Sequence, residues 1–268
     1  MRSSLLISIL LFLMACDDKA MIEQFDTLPY NSESRYYFSS NRISIVSDDH
    51  PIFKTCRFHG WDFYAIVDLE KELLICTDKT KHKSKYHLLS KSHSLDLGHT
   101  PPLSVKSNNL ITQQLSVYRI GHTIKKVLSS KHTLPHRSAA IFREKFNDII
   151  VLKDASIYIF NGSEFQHIQV LKQGAINQFT VHDLALSTDE ETLYLMSSYG
   201  NRGLKDVYIH AFDLNNSRLS TQYKIESNCI CFQHTLDYEK GGPVFFYINK
   251  SNKSVVKGKI KGKENYEE

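Results

Sequence analysis

The chain is short of the residues that mark several protein classes. Its 268 residues include only 11 Gly, 6 Pro and a single Trp, which excludes collagen-like repeats and Pro-rich low-complexity segments. It also lacks a surplus of one charge: 33 basic residues stand against 29 acidic ones, a net +4. That balance leaves no electrostatic footprint for nucleic acid, and no nucleic-acid partner is expected. Beyond residue 16 no apolar run approaches the length of about 18 residues that a membrane-spanning helix needs. Familiar chemical motifs are absent as well: there is no H-E-x-x-H, G-x-S-x-G, P-loop, G-x-G-x-x-G or Asp-rich calcium loop. The 13 His have no ligand-like spacing, so no catalytic residue, metal or cofactor is expected. What is present is an ordinary share of apolar side chains, 41%, enough for a packed core of one large or two small domains.

The one concentrated apolar stretch is at the start. A singly basic opening, Met1-Arg2-Ser3-Ser4, leads into residues 5–15, apolar except for Ser8. At 1.5 Å per residue this run is too short for a hydrocarbon core about 30 Å thick, and it has the length of a signal-peptide apolar region. Leu13-Met14-Ala15-Cys16 then resembles the lipobox of bacterial lipoproteins. The resemblance implies a diacylglyceryl group on the Cys16 sulfur, cleavage between Ala15 and Cys16, and anchorage of the mature chain on the outer side of a membrane. Two or three acyl chains give durable attachment, since each buried CH₂ contributes about 0.8 kcal/mol. Asp17, directly after the cysteine, resembles the signal that retains enteric lipoproteins in the inner membrane. The expected organisation is a signal peptide over 1–15, a lipidated Cys16 with a polar tether over 16–35, a domain over 36–260 and a charged tail over 261–268.

From Tyr36 onward, short runs rich in Ile, Val, Tyr and Phe are separated by turn residues, the signature of an all-β chain. No amphipathic helix is expected beyond the signal peptide, apart from a possible turn at 123–129. A weak repeat of aromatic strand, polar turn and second strand begins at Tyr64, Val117, Ile157, Val207 and Phe245, at spacings of roughly 40–50 residues. Asp68, Asn161, Asp213 and Asn249 close four of the first strands, and such residues make side-chain turns. The stretch from Asp183 to Met196 with the following Val207–Asp213 strand resembles a β-propeller blade. The fold expected is a β-propeller of five or six blades, the sixth being residues 36–47 if they form a blade alone; a β-sandwich or open barrel-like sheet is the alternative. In a propeller Leu193, Leu195, Val207 and Ile209 are buried between neighbouring sheets.

With Cys16 used by lipid, Cys56, Cys76, Cys229 and Cys231 form an even set compatible with disulfides outside the cytoplasm. Cys229 and Cys231, two apart in a strand, would face the same side, which speaks against a bond between them. Pairing with Cys56 or Cys76 would instead staple the first unit to the last. Four buried free thiols are the alternative.

Lys79, Lys81, Lys83, Lys85 and Lys91 interleave with His82, His87 and His93 in what reads as an exposed rim loop between the first two units. It is a candidate contact for anionic headgroups, lipopolysaccharide or an acidic partner. Residues 59–62, with the sole Trp, read as a turn into a core strand, and the acidic stretch 187–191 as a blade turn. The function these features favour is a membrane-anchored binding or scaffold module of the bacterial envelope with a protein partner. Alternatives are an accessory or immunity component of a secretion, conjugation or toxin system, and a propeller-type lyase or hydrolase.

Overall fold

Twenty-two strands and one short helix are found among the described residues of the computed structural model. These are residues 22–261, except 40–41, 48, 70–71, 81–82, 91–93, 107, 122, 136–137, 154–155, 171–178 and 201–202. The chain opens with β1 (Ile22–Pro29), then a hairpin of β2 (Arg35–Ser39) and β3 (Arg42–Val46), then the helix α1 (Ile52–Phe58). Four-stranded antiparallel sheets follow in order. Blade 1 is β4 (Asp62–Asp68), β5 (Leu73–Thr80), β6 (Lys83–Leu89) and β7 (Ser94–Gly98). Blade 2 is β8 (Pro102–Lys106), β9 (Asn109–Thr112), β10 (Val117–Ile120) and β11 (Ile124–Leu128). Blade 3 is β12 (Ala139–Arg143), β13 (Asp148–Lys153), β14 (Ser156–Phe160) and β15 (Phe165–Val170). Blade 4 is β16 (Phe179–Leu186), β17 (Thr192–Tyr199), β18 (Lys205–Asp213) and β19 (Arg218–Cys229).

Blade 5 has only three strands of its own: β20 (Cys231–Glu239), β21 (Gly242–Asn249) and β22 (Ser254–Ile260). Its fourth is β1, which pairs antiparallel with β22 from Ile22↔Ile260 to Pro29↔Ser254. The polar tether expected over 16–35 is corrected here, because residues 22–29 are the outer strand of the last blade. Acidic residues and a Pro make a poor strand by local preference, and the pairing comes from β22, more than 200 residues on. Pro29, at the end of an edge strand, removes no needed ladder bond. The signal peptide, Cys16 and Asp17, within residues 1–21, and the charged tail from residue 262 lie outside the described residues.

The chain is thus a five-bladed β-propeller, and its core lies between blades, as the two-faced apolar strands predict. Leu193 and Leu195 pack with Ile141, Ile150 and Leu152 of blade 3. On the other face Val207 and Ile209 pack with Leu236, Phe245 and Tyr247 of blade 5. All four of the residues expected to be buried have no exposed surface. Each such side chain contributes about 1.5–3 kcal/mol by leaving water.

Residues 36–47 are not a blade of their own. β2 and β3 form a two-stranded wedge between blades 5 and 1. Tyr36, Phe38 and Ile43 face Ile248, Val255 and Phe232 of blade 5. Tyr37 and Val46, with Ile52, Phe53 and Cys56 of α1, face Leu74, Cys76 and Leu89 of blade 1. The helix was not foreseen: it has two turns, with Pro51 at its start and buried positions only at Ile52, Phe53 and Cys56. A helix so short is held by packing rather than propensity. The possible helical turn at 123–129 is instead β11, paired with β10.

The turn chemistry is as expected at Asn161, Asp213 and Asn249. Asn161 Oδ1 accepts from the N–H groups of Ser163 and Glu164, Asp213 Oδ1 from those of Asn215 and Asn216, and Asn249 Oδ1 from that of Ser251. In the 187–191 turn, Ser187 Oγ donates to Asp189 Oδ1. That bond, with a further one from the Glu191 N–H, holds the Asp189 carboxyl below the usual range. Glu190 accepts from the Glu144 and Lys145 N–H groups at 3.0 and 2.9 Å, tying blade 4 to blade 3.

Candidate functional site

The innermost strands carry the groups that converge on the propeller axis. β8, β16 and β20 are the first strands of blades 2, 4 and 5, and blade 3 separates the first two of these blades. Lys106, the last residue of β8, nevertheless places Nζ 2.6 Å from Asp183 Oδ2 on β16. It also donates to the carbonyl of Leu236 on β20. The Leu236 N–H donates to the same Asp183 oxygen at 2.8 Å, and the Leu184 N–H to the other at 2.9 Å. The ion pair therefore crosses the axis and is largely buried, at 16% and 21% side-chain exposure. Both charges are hydrogen-bonded in full view of each other, so the pair acts as a strut among three blades.

Bulges aim neighbouring side chains. The β16–β17 register shifts between Val181 and Asp183, and the β20–β21 register between Phe232 and Thr235. His182 and His234 occupy these unpaired positions, and their rings stack at 3.7 Å between blades 4 and 5. His182 Nε2 lies 2.8 Å from Ser198 Oγ. His234 Nε2 is buried with no hydrogen-bond partner among the described residues. Burial, and then the Lys205 charge, lowers the His182 pKa to about 4. Burial, then His182 and Lys205, lowers that of His234 to about 3. Both imidazoles are therefore neutral at pH 7. Ser197 Oγ and His210 Nε2 form a second pair at 2.8 Å. Ser197 and Ser198 have no exposed surface and His210 is buried, whereas His182 is half-buried; the two pairs join β16 to β17 and β17 to β18.

A cleft of about 270 Å³ opens where the wedge meets blade 5, lined by Tyr30, Arg35, Tyr37, Phe232 and Gln233, among others. Gln233 sits at φ 52°, in the bulge beside His234, and donates its side-chain amide to the Tyr36 carbonyl. Trp61, which leads from α1 into β4, is stacked between His59 and His87 at 5.1 and 4.0 Å. Among the described residues no group of three or more His, Cys, Asp or Glu is placed to hold a metal ion.

The four cysteines pair within their own neighbourhoods. Cys56 of α1 bonds Cys76 of β5, with Cα atoms 5.6 Å apart. Cys229 bonds Cys231, with Cα atoms 5.2 Å apart. The expected clasp between first and last units is thereby corrected, as is the argument against a Cys229–Cys231 bond. In one continuous strand residues two apart face the same side and are separated by about 6.6 Å. Cys229 instead ends β19 and Cys231 begins β20. Asn228 at φ 50° bends the chain just before them.

The lysine-rich stretch is also corrected. Its residues 79–80 and 83–89 belong not to a loop between blades but to the paired strands β5 and β6 within blade 1, with Lys79 opposite Ser84 and Lys85 opposite Asp78. Lys81 and Lys91 lie outside the described residues. The alternation of Lys with Ser, Tyr and His marks the strands, and only the lysine content suggested a loop. Nothing in the sequence signalled Lys106, Asp183, His182 or His234: the ion-pair partners are 77 residues apart, and only the blade order brings them together.

No protein-family model and no curated protein matches the chain. Solved structures that resemble it are propellers of very different sequence. TolB from Acinetobacter baumannii is 10% identical, with a TM-score of 0.35, over 70% of this chain and 51% of that one. An ancestral GH74 enzyme is 10% identical, TM-score 0.39, over 84% and 34%. An oligogalacturonate lyase from Vibrio parahaemolyticus is 10% identical, TM-score 0.31, over 87% and 85%. The chain thus spans about half the length of that TolB and about a third of the GH74 enzyme. The likeness concerns the fold alone.

Proposed function

We propose that the chain is a lipid-anchored binding or scaffold module on the outer side of a bacterial membrane, attached through Cys16. The observation that carries this reading is the sequence Leu13-Met14-Ala15-Cys16 placed after an apolar run of signal-peptide length. Two disulfides support it, because such bonds persist in oxidising compartments. Recognition through surfaces is favoured over chemistry in the channel, because Lys106 and Asp183 are committed to each other and to Leu236. The surface offered to an acidic protein partner is the tip of the β5–β6 hairpin, where Lys79, Lys81, Lys83 and Lys85 fall within seven residues.

Metabolic labelling with palmitate tests the anchor. The wild-type chain is expected to take up label and to sediment with membranes; Cys16→Ser is expected to remain an unlabelled, uncleaved precursor. A Cys16→Ser chain that is still cleaved and still bound to membranes contradicts the reading. For the partner, changing Lys81, Lys83 and Lys85 to Gln is expected to weaken association without unfolding the domain. Added salt is expected to do the same, since exposed charges are screened over about 8–10 Å.

A further inference from the structure

The position of β1 limits how the propeller can sit on a membrane. Only residues 17–21 lie between Cys16 and Ile22, the first residue of β1. A fully extended chain spans at most about 3.3–3.6 Å per residue, so Ile22 stays within roughly 20 Å of a lipidated Cys16. Ile22 is opposite Ile260, Lys259 is opposite Val244, and Gly242 is opposite Glu239. One end of blade 5 therefore gathers the start of β1, the end of β22 and the β20–β21 turn. Exposed Lys240 and Lys261 and half-buried Lys259 stand there, with Lys259 Nζ donating to the Lys240 carbonyl. Glu239 stands at this turn and Glu23 is opposite Lys259, and the flanking residues 17–21 and 262–268 carry five acidic residues and two lysines.

Charge alone does not choose between the ends of the blade. Lys250 and Lys253 are exposed at the opposite end, in the β21–β22 turn, and the β5–β6 tip opens on that same side of the ring. The short leash decides. A strand the length of β22 separates the two ends by about 20 Å, so the Lys250–Lys253 turn stands farther from the anchor by that distance.

We infer that the propeller rests on anionic lipid headgroups through the blade 5 end bearing Lys240, Lys259 and Lys261, and turns the β5–β6 lysine tip away from the bilayer. This rests on Cys16 being lipidated. The leash sets which end meets the bilayer, and the three lysines supply its headgroup contacts, each lysine near an anionic surface strengthening association by about fivefold.

The test uses the full-length lipidated protein in vesicles containing phosphatidylglycerol, with the photo-crosslinking residue p-benzoylphenylalanine at position 240 or at position 252. Position 252 is exposed at the opposite end of the same blade. Phospholipid adducts are expected at 240, several-fold more than at 252. They are expected to fall when phosphatidylcholine replaces phosphatidylglycerol, or when Lys259 and Lys261 are changed to Gln. Equal yields at the two positions, an excess at 252, or adducts at 240 only with the chain's own residues 17–21 overturn the inference. Palmitate labelling of the same samples separates the two failures. Unlabelled Cys16 overturns the anchor and this inference with it; labelled Cys16 without lipid adducts at 240 overturns the orientation alone.

Discussion

Two junctions of the ring are closed by different means. Between blades 4 and 5 the sheets meet face to face: Met196, Val207 and Ile209 pack on Leu236, Phe245 and Tyr247, and the stacked His182–His234 pair lies in the same seam. Between blades 5 and 1 the wedge of β2, β3 and α1 intervenes. On one side β1 is hydrogen-bonded to β22; on the other Cys56 is bonded to Cys76. The first junction depends on buried apolar area and ring stacking. The second depends on strand pairing and a cross-link, as expected where a ring must join the two ends of its chain and consecutive sheets cannot simply stack. A ring need not be closed by a uniform set of contacts.

The largest effect that separates the two is predicted at the direct junction. Phe245→Ala removes a ring with no exposed surface and is expected to cost about 3–5 kcal/mol, read as a lower urea midpoint at unchanged slope. An effect under about 1 kcal/mol would mean that blades 4 and 5 do not share a packed core.

What was legible in the sequence divides along the same line. The direct junction was readable, because Val207 and Ile209 lie in a blade whose strands have two apolar faces, Leu193 and Leu195 covering the side toward blade 3, and such strands must be covered on both sides. The wedge junction was not. β1 carries little strand preference, α1 is too short for a helical period, and the β1–β22 pairing spans nearly the whole chain. The repeat was real but out of phase. The units beginning at Val117, Ile157 and Val207 are third-and-fourth-strand hairpins, whereas those at Tyr64 and Phe245 are first-and-second and second-and-third. The tether reading of residues 22–29 came from their polar, aperiodic sequence, and the phase shift concealed that blade 5 lacks a strand. The axial groups were invisible for a different reason: Lys106, Asp183, His182 and His234 meet only through blade order, which no local pattern encodes.

The next effect concerns the cross-link at the wedge. Changing both Cys56 and Cys76 to Ser opens a loop spanning 20 residues and is expected to cost about 3 kcal/mol. Thermal unfolding of the double variant beside the wild type checks it; an unchanged midpoint would show that the wedge is held without the disulfide.

A pH effect belongs to the direct junction. His182 and His234 have folded pKa values of about 4 and about 3, below the value of about 6.5 for an unfolded His. As pH falls below about 6.5 the unfolded chain takes up protons that the native seam refuses, so stability falls with pH down to about 4 and 3. Above that window these residues contribute no pH dependence. Changing both to Gln is expected to flatten the midpoint-versus-pH profile there, and a profile with the wild-type slope would assign the loss to other groups.

The smallest effect is expected at the second disulfide. Cys229 and Cys231 are separated by only two positions, so their bond restricts little of the unfolded chain. Changing both to Ser is expected to cost less than about 1 kcal/mol. A loss equal to that at Cys56–Cys76 would mean that the β19–β20 crossing is itself a closure point.

Hydrogen exchange of the full chain, with the Cys56–Cys76 bond intact and after its selective removal by the double Ser change, tests the two-junction account most directly. The account predicts faster exchange in β2, β3, α1 and β1, with the amides of β17 and β18 as protected as before. Exchange that rises equally throughout blade 4, or first there, would contradict it.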